Sequence, residues 1–314
     1  GAGGYIGTNL VSKLIKLNYK VVALDTFWFG NYLKKNKRLK ILKKDIRKLD
    51  PKDFNNIDTI IHLASIANDP AAELNAKLTW DINVLATYNL IDLAVKKKIK
   101  KFIFASSGSV YGIKKEKKVI EDLPLHPVSE YNKSKMIAER ILLSFKKKID
   151  LTILRPATVC GYSPSMRLDV AVNALTFNAL KNNKIKVFGG KQIRPNLNMF
   201  DMVNAYVFSI QRKYKKDRRV KDTIFNIGFE NLSILNIAKR INKCLLKKYE
   251  IDIVKSNDPR SYRQDSSRIL AVGFSPKKTI KDAIIEIKEK FFQNKIKSHK
   301  KFYRVNTLKI IKVK

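Results

Sequence analysis

The stretch Gly1-Ala2-Gly3-Gly4-Tyr5-Ile6-Gly7 runs directly into residues 6–17, where apolar side chains recur three and four apart. That spacing predicts an amphipathic helix. Glycine at 1, 4 and 7 permits positive φ and close approach of the main chain to a ligand, and a helix N-terminus presents N–H groups to an anion. The pattern suits a loop that cradles a dinucleotide pyrophosphate, with Gly1, Gly4, Tyr5, Ile6 and Gly7 as candidate contacts. Taken alone it also suits an ordinary turn. Asp25 strengthens the first reading. It ends the apolar run 20–24 at a position where a carboxylate can accept both hydroxyls of an adenosine ribose. Thr26 and Phe27 follow without a basic residue, and a carboxylate repels a 2′-phosphate, so NAD is expected over NADP. Asp45 and Ile46, after the next apolar run, are candidates for the adenine edge, with helix capping the alternative for Asp45.

Working outward, residues 20–24, 39–42, 59–62, 101–105 and 151–154 read as short buried strands. Helical periodicity covers 6–17, 71–97, 129–145, 168–180, 200–211, 233–249 and 279–292. Strands alternating with long helical connections predict an α/β fold, a doubly wound parallel sheet with ligand sites at the strand carboxyl ends. The regular order lapses after Pro156. We therefore expect a dinucleotide-binding domain over 1–156 and a smaller, mainly substrate-binding domain over 157–294. About 199–227 should return to the first domain, with 223–227 as a strand. Residues 295–314 form a Lys-rich basic tail without a clear period. A glycine loop of this kind normally follows a strand, yet its first glycine is residue 1, so the central strand is expected to be missing from this sequence.

Composition bounds the function. No apolar run approaches the roughly 18–20 residues of a membrane span, and no basic leader precedes an apolar stretch, so a cytoplasmic protein is expected. Cys160 and Cys244 are far apart and lack a CxxC partner, which argues against a disulfide framework and a metal site. The net charge of +38 invites a nucleic-acid partner. Yet 51 of the 65 basic residues are lysines strewn along the whole chain, whereas phosphate and base recognition favours arginine forks. Specific nucleic-acid recognition is not expected.

Tyr131 and Lys135 stand four apart, hence on one helix face. A phenol is a poor base at neutral pH, but an adjacent ammonium and a nicotinamide cation both favour the phenolate. Such pairs arise by chance in a Lys-rich chain. The position of this one gives it weight, because Ser107 lies upstream in Phe104-Ala105-Ser106-Ser107-Gly108-Ser109-Val110-Tyr111-Gly112, after a buried strand, where a hydroxyl can polarise a reacting oxygen.

The glycine loop, Asp25, Asp45-Ile46, His62-Leu63-Ala64-Ser65, Asn83-Val84-Leu85-Ala86-Thr87, Val110-Tyr111-Gly112 and Tyr131-x-x-x-Lys135 resemble, in this order, NAD-dependent epimerase/dehydratase family proteins. The resemblance spans about residues 1–275. It implies a Rossmann domain with a smaller sugar-nucleotide domain, bound NAD, and a catalytic Ser107, Tyr131 and Lys135. Ala64 and Ser65 would lie along the nicotinamide side, with Leu63, Tyr131 and Lys135 also touching the cofactor. Asn83 would tie neighbouring strands, and His62 is expected to be packed rather than catalytic.

Departures narrow the reaction. Family dehydratases and decarboxylases carry acidic residues just after the Ser, where this chain has Gly108 and Ser109; the epimerase/reductases with a nearby Cys are not matched either, since Cys160 lies elsewhere. What remains is 4-epimerisation or 4-keto reduction of a nucleotide-diphosphate sugar. Arg194, Arg260 and Arg263 fall where related proteins bind the diphosphate or nucleotide, and bidentate guanidinium pairing suits that anion. Asn173 and Arg167 are further substrate candidates, and Asn198 replaces a frequent family His. A homodimer through the 129–145 helix is implied. The alternative is a non-catalytic nucleic-acid-binding protein on the same fold, against which the intact Ser107, Tyr131 and Lys135 set argues.

Overall fold

The computed structural model describes residues 1–212, 223–256 and 261–311. Within these, strands β1 (Val21–Asp25), β2 (Leu39–Lys43), β3 (Thr59–His62), β4 (Lys101–Ala105) and β5 (Asp150–Pro156) are the five short runs that the sequence predicts. They are followed by β6 (Thr158–Cys160), β7 (Lys184–Phe188), β8 (Ile193–Asn198), β9 (Ile224–Ile227), β10 (Glu230–Ser233) and β11 (Glu250–Val254).

The central sheet is parallel, in the order β3-β4-β5-β9. Alternate residues serve opposite faces. Ile103 and Leu154 join Leu10 and Leu14 of the helix Tyr5–Lys16 and Met202 and Tyr206 of the helix Met199–Gln211. Phe102, Phe104, Leu151 and Ile153 instead join Leu90 and Ile91 of the helix Ala86–Lys96 and Ala138 and Leu142 of the helix Glu130–Ser144. Both faces are covered, as a purely parallel sheet requires. β1 pairs in parallel with β2 and not with this sheet. Between β1 and β3 lies a cavity lined by Leu10, Val11, Val21, Leu24, Ile61 and His62.

Smaller sheets follow Pro156. β8 pairs antiparallel with β10 and parallel with β6, and β7 pairs with β11. Ile185 and Val187 pack with Val172, Ile237, Ile241 and Ile284 from the helices Ala171–Asn182, Ile234–Leu245 and Ile280–Phe292, a core separate from the other two.

Two elements differ from the sequence reading. Over 71–97 the chain forms Asp69–Glu73, Ala76–Trp80, a π-helical turn Asp81–Leu85 and then Ala86–Lys96. Asn68 and Asn75 accept from the main-chain N–H of Ala71 and Leu78, so each restarts a helix by capping it. The helix expected over 233–249 stops at Leu245, where Leu246 turns left-handed at φ 53°, and this releases 250–254 to pair with β7. The tail, whose structure the sequence leaves open, is described through Ile311. It holds a 3-10 turn Lys300–Phe302 and a helix Arg304–Ile311, with Phe302 packed in one core cluster and Val305 and Leu308 against another. Among the described residues no helix is long and apolar enough to cross a membrane.

Candidate active site

No side chain caps the helix that begins after Gly4, and its first turn carries no acid. Its leading N–H groups are thus open to an anion at the positive end of the helix dipole. The glycines serve close approach here rather than left-handed backbone, since Gly3, Gly4 and Gly7 do not have positive φ. A Cβ on Gly7 would stand 2.3 Å from the Gly1 carbonyl oxygen, and one on Gly1 would stand 2.4 Å from main-chain atoms of Leu63 and Ala64. The loop is therefore seated directly on the end of β3. Asp25 fixes it from the other side, accepting the N–H of Gly3 at 2.9 Å and of Phe27 at 2.6 Å.

One cavity collects the predicted cofactor residues except Tyr131 and Lys135, which lie beside it. Gly1, Gly4, Tyr5, Ile6, Gly7 and Asp25 form part of its wall. Asp45 and Ile46, beyond β2, and Leu63, Ala64 and Ser65, beyond β3, supply more of it. Asp45 also caps a 3-10 turn and pairs with Arg47 at 2.8 Å, so capping and cavity lining coexist. Trp28, Phe29, Arg304 and Leu308 line the same cavity and were not foreseen. The one available signal for Arg304 is that it is the sole arginine of 295–314 in a chain dominated by lysine.

Ser107, Tyr131 and Lys135 come together beside this cavity. Ser107 ends the loop after β4, and its hydroxyl lies 2.7 Å from that of Ser109, which in turn donates to Asn132. Ser129 caps the helix Glu130–Ser144 and so sets Tyr131 in its first turn. Burial pushes the Tyr131 hydroxyl up to about 12, while hydrogen-bonding contact with Ser107 pulls the other way. The Lys135 ammonium sits 6.0 Å from the Tyr131 ring centre and donates to the Ala105 carbonyl at 2.8 Å. Its burial lowers it to about 7, against the opposing pull of Glu139.

Two networks hold these groups. Asn83 sits in the π-helical turn and accepts from the Ile66 N–H at 2.9 Å and the Ser65 hydroxyl at 3.0 Å. It donates to the Ile66 carbonyl and to Ser134 at 3.0 Å. It thus ties the loop after β3 to the Tyr131 helix, where the resemblance implied a link between strands. Beneath Ser107, Arg155 grips Glu139 through two bonds of 3.0 and 2.7 Å, and Ser106 donates to the same carboxylate. His62 is packed between Phe102 and Phe104, bonded to Thr87 at 2.8 Å, and burial drives its pKa well down, so it stays neutral.

The substrate candidates divide. Asn173 is fully buried; it accepts from the Gly161 N–H and donates to the Tyr5 hydroxyl and the Arg167 carbonyl. Its polar atoms are committed inside the protein, behind the glycine loop. Arg167 lines the cofactor cavity and pairs with Asp169 at 2.8 Å. Arg194 on β8 and Arg263 lie outside that cavity, on neighbouring segments joined by an Ile193 N–H to Ser261 bond. Gln264, next to Arg263, packs against Gly108 in the turn after Ser107. Asn198 caps the helix Met199–Gln211. Cys160 is buried and donates to the Leu197 carbonyl. Arg260 lies outside the described residues.

A family model described as the NAD dependent epimerase/dehydratase family matches residues 1–228. The chain belongs to that family. A UDP-glucose 4-epimerase of Lactobacillus helveticus is 29% identical over 96% of this chain and 97% of its own length. A putative UDP-glucose 4-epimerase of Methanocaldococcus jannaschii is 33% identical over 73% and 75%. Among solved structures, the UDP-glucuronic acid 4-epimerase of Bacillus cereus in complex with UDP-glucuronic acid and NAD superposes with a TM-score of 0.80 at 28% identity, covering 92% of this chain and 98% of that one. The family cofactor is NAD, and the residues present fit it: an uncapped helix N-terminus for a diphosphate, Asp25 for a ribose, and a cavity joining them to the loop after β3.

Proposed function

We propose that this protein is an NAD-dependent 4-epimerase of a UDP-linked sugar, with 4-keto reduction the neighbouring reaction that the same site could perform. The observation that carries the reading is the meeting of Ser107, Tyr131 and Lys135 beside the cavity that fits NAD, in a turn where Gly108 and Ser109 stand in place of carboxylates. The similarity to UDP-sugar 4-epimerases supports the choice of substrate class.

Bound NAD supplies the acceptor, and then the donor, of a hydride at a sugar carbinol carbon. Tyr131 takes the hydroxyl proton as the carbonyl forms and returns it when the carbon is reduced on its other face. Ser107 holds that oxygen by a hydrogen bond, and its contact with the phenol keeps the two groups aligned on one atom. A phenol raised to about 12 by burial needs positive charge beside it to ionise; Arg167 supplies some, and Lys135 on the same helix face, itself lowered to about 7 by burial, adds to it in its protonated form. Ser109 bonds to Ser107 and Asn132, so the turn fixes a hydroxyl array and holds no carboxylate to strip a proton from the carbon next to the carbonyl. Elimination is thereby disfavoured. Arg194 and Arg263 are the proposed contacts to the substrate diphosphate.

The test is a turnover screen with NAD against UDP-glucose, UDP-glucuronic acid and UDP-N-acetylglucosamine, reading C4 configuration by NMR. Inversion at C4 without net cofactor reduction is expected for at least one. Loss of water from the sugar, or no reaction with any of the three, would defeat the reading.

A further inference from the structure

The C-terminal segment reaches the cofactor cavity through Arg304. This residue is only 5% exposed, and its guanidinium carbon lies over the Phe29 ring, 4.0 Å from its centre. Its terminal nitrogens donate to the Lys301 carbonyl at 3.0 Å and to the carbonyl and hydroxyl of Ser165 at 3.1 and 3.2 Å. All three acceptors are neutral. The nearest carboxylate is already engaged, because Asp169 takes the Arg167 Nε–H at 2.8 Å on one oxygen and the Arg304 main-chain N–H at 3.1 Å on the other. The buried Arg304 guanidinium thus has no ion pair of its own: Asp169 pairs with the partly buried Arg167, and Asp169 and Asp25 attract Arg304 only from a distance. Burial, followed by repulsion from Arg167, pushes Arg304 down to about 10.

A buried cation without its own counter-charge is costly unless an anion completes it. Both arginines line the cavity that also receives the uncapped helix N-terminus after Gly4. We propose that Arg304 is a cofactor-binding residue that pairs with the diphosphate of NAD, so that the segment Lys300–Ile311 acts as a strap over the bound cofactor. Leu308 in the cavity wall and Phe302 packed near Tyr32 anchor the strap on either side of Arg304. The proposal depends on NAD and is independent of which sugar is turned over.

The test uses the full chain freed of cofactor, with binding read by calorimetry. Arg304→Met should weaken NAD and ADP-ribose roughly tenfold to a hundredfold, the scale of a lost charge-assisted bond, and leave adenosine unaffected. Arg304→Lys should fall between. Wild-type affinity of Arg304→Met for ADP-ribose would overturn the proposal. Should Arg304→Met not fold, the wild type decides, because Lys300 and Lys301 are exposed trypsin sites within the strap. ADP-ribose at about a hundred times its Kd should slow cleavage there by at least about tenfold relative to sites elsewhere in the chain. An unchanged rate would overturn it.

Discussion

Replacing Lys135 by methionine should stabilise the cofactor-free protein while removing its activity. The substitution keeps side-chain length and deletes a buried ammonium whose pKa has fallen from 10.5 to about 7, through burial that Glu139 only partly offsets. At about 1.4 kcal/mol per pH unit, that displacement is an unfavourable contribution of about 5 kcal/mol. Its sign follows from linkage. The unfolded lysine takes up its proton near pH 10.5 and the folded one only near 7, so the penalty grows as pH falls between these values and is complete below 7. Methionine also leaves the Ala105 carbonyl without its donor, at a cost of about 1–2 kcal/mol. A net gain of about 3 kcal/mol at neutral pH should therefore shrink, and finally reverse, as pH rises toward 10.5. Urea unfolding of the NAD-free protein, followed by circular dichroism between about pH 6.5 and 9.5, measures it. A variant no more stable than wild type at neutral pH, or a gain that does not shrink as pH rises, would refute the argument that the ammonium is held against its hydration.

Tyr131→Phe removes only the phenol oxygen and should lower turnover by about 10²–10⁴ while NAD titrates as in wild type; retained turnover would take the proton-transfer role away from Tyr131. Glu139→Ala leaves Arg155 buried without its carboxylate and should cost about 3–5 kcal/mol in urea unfolding, and a loss below about 1 kcal/mol would mean that Arg155 finds another partner. NAD should bind more tightly than NADP, because Asp25 stands where a 2′-phosphate would be repelled; equal binding of the two in a fluorescence titration would count against that placement.

The cofactor wall was legible in the sequence for a physical reason. In a doubly wound sheet, the residues just past each strand converge at one edge, so locating the strands also locates Asp25, Asp45 and Ala64 relative to the glycine loop. Tyr131 and Lys135 were legible because helical spacing four apart survives folding unchanged. The illegible parts depend on interactions that have no local period. Asn75 reads as one more polar residue on a helix face, yet its side chain captures the Leu78 N–H and breaks the helix there. β6, β8 and β10 mix polar and apolar residues, and they become strands through pairing with one another.

Asn83 shows how such an irregularity serves the site. A straight helix over 71–97 would continue its 3.6-residue register through this position, whereas the wider π turn brings a fully bonded amide to Ser65, Ile66 and Ser134 at once. Three of its bonds hold the loop that lines the cavity, and the fourth, to Ser134, holds the helix that carries Tyr131 and Lys135. The distance between the cavity wall and Tyr131 is therefore governed by a residue that is not part of that wall. Four bonds shared by one buried side chain cannot shift singly, because each broken partner would be left unsatisfied in the interior. The break in periodicity that misleads a reading of the sequence is thus the feature that joins the two halves of the site.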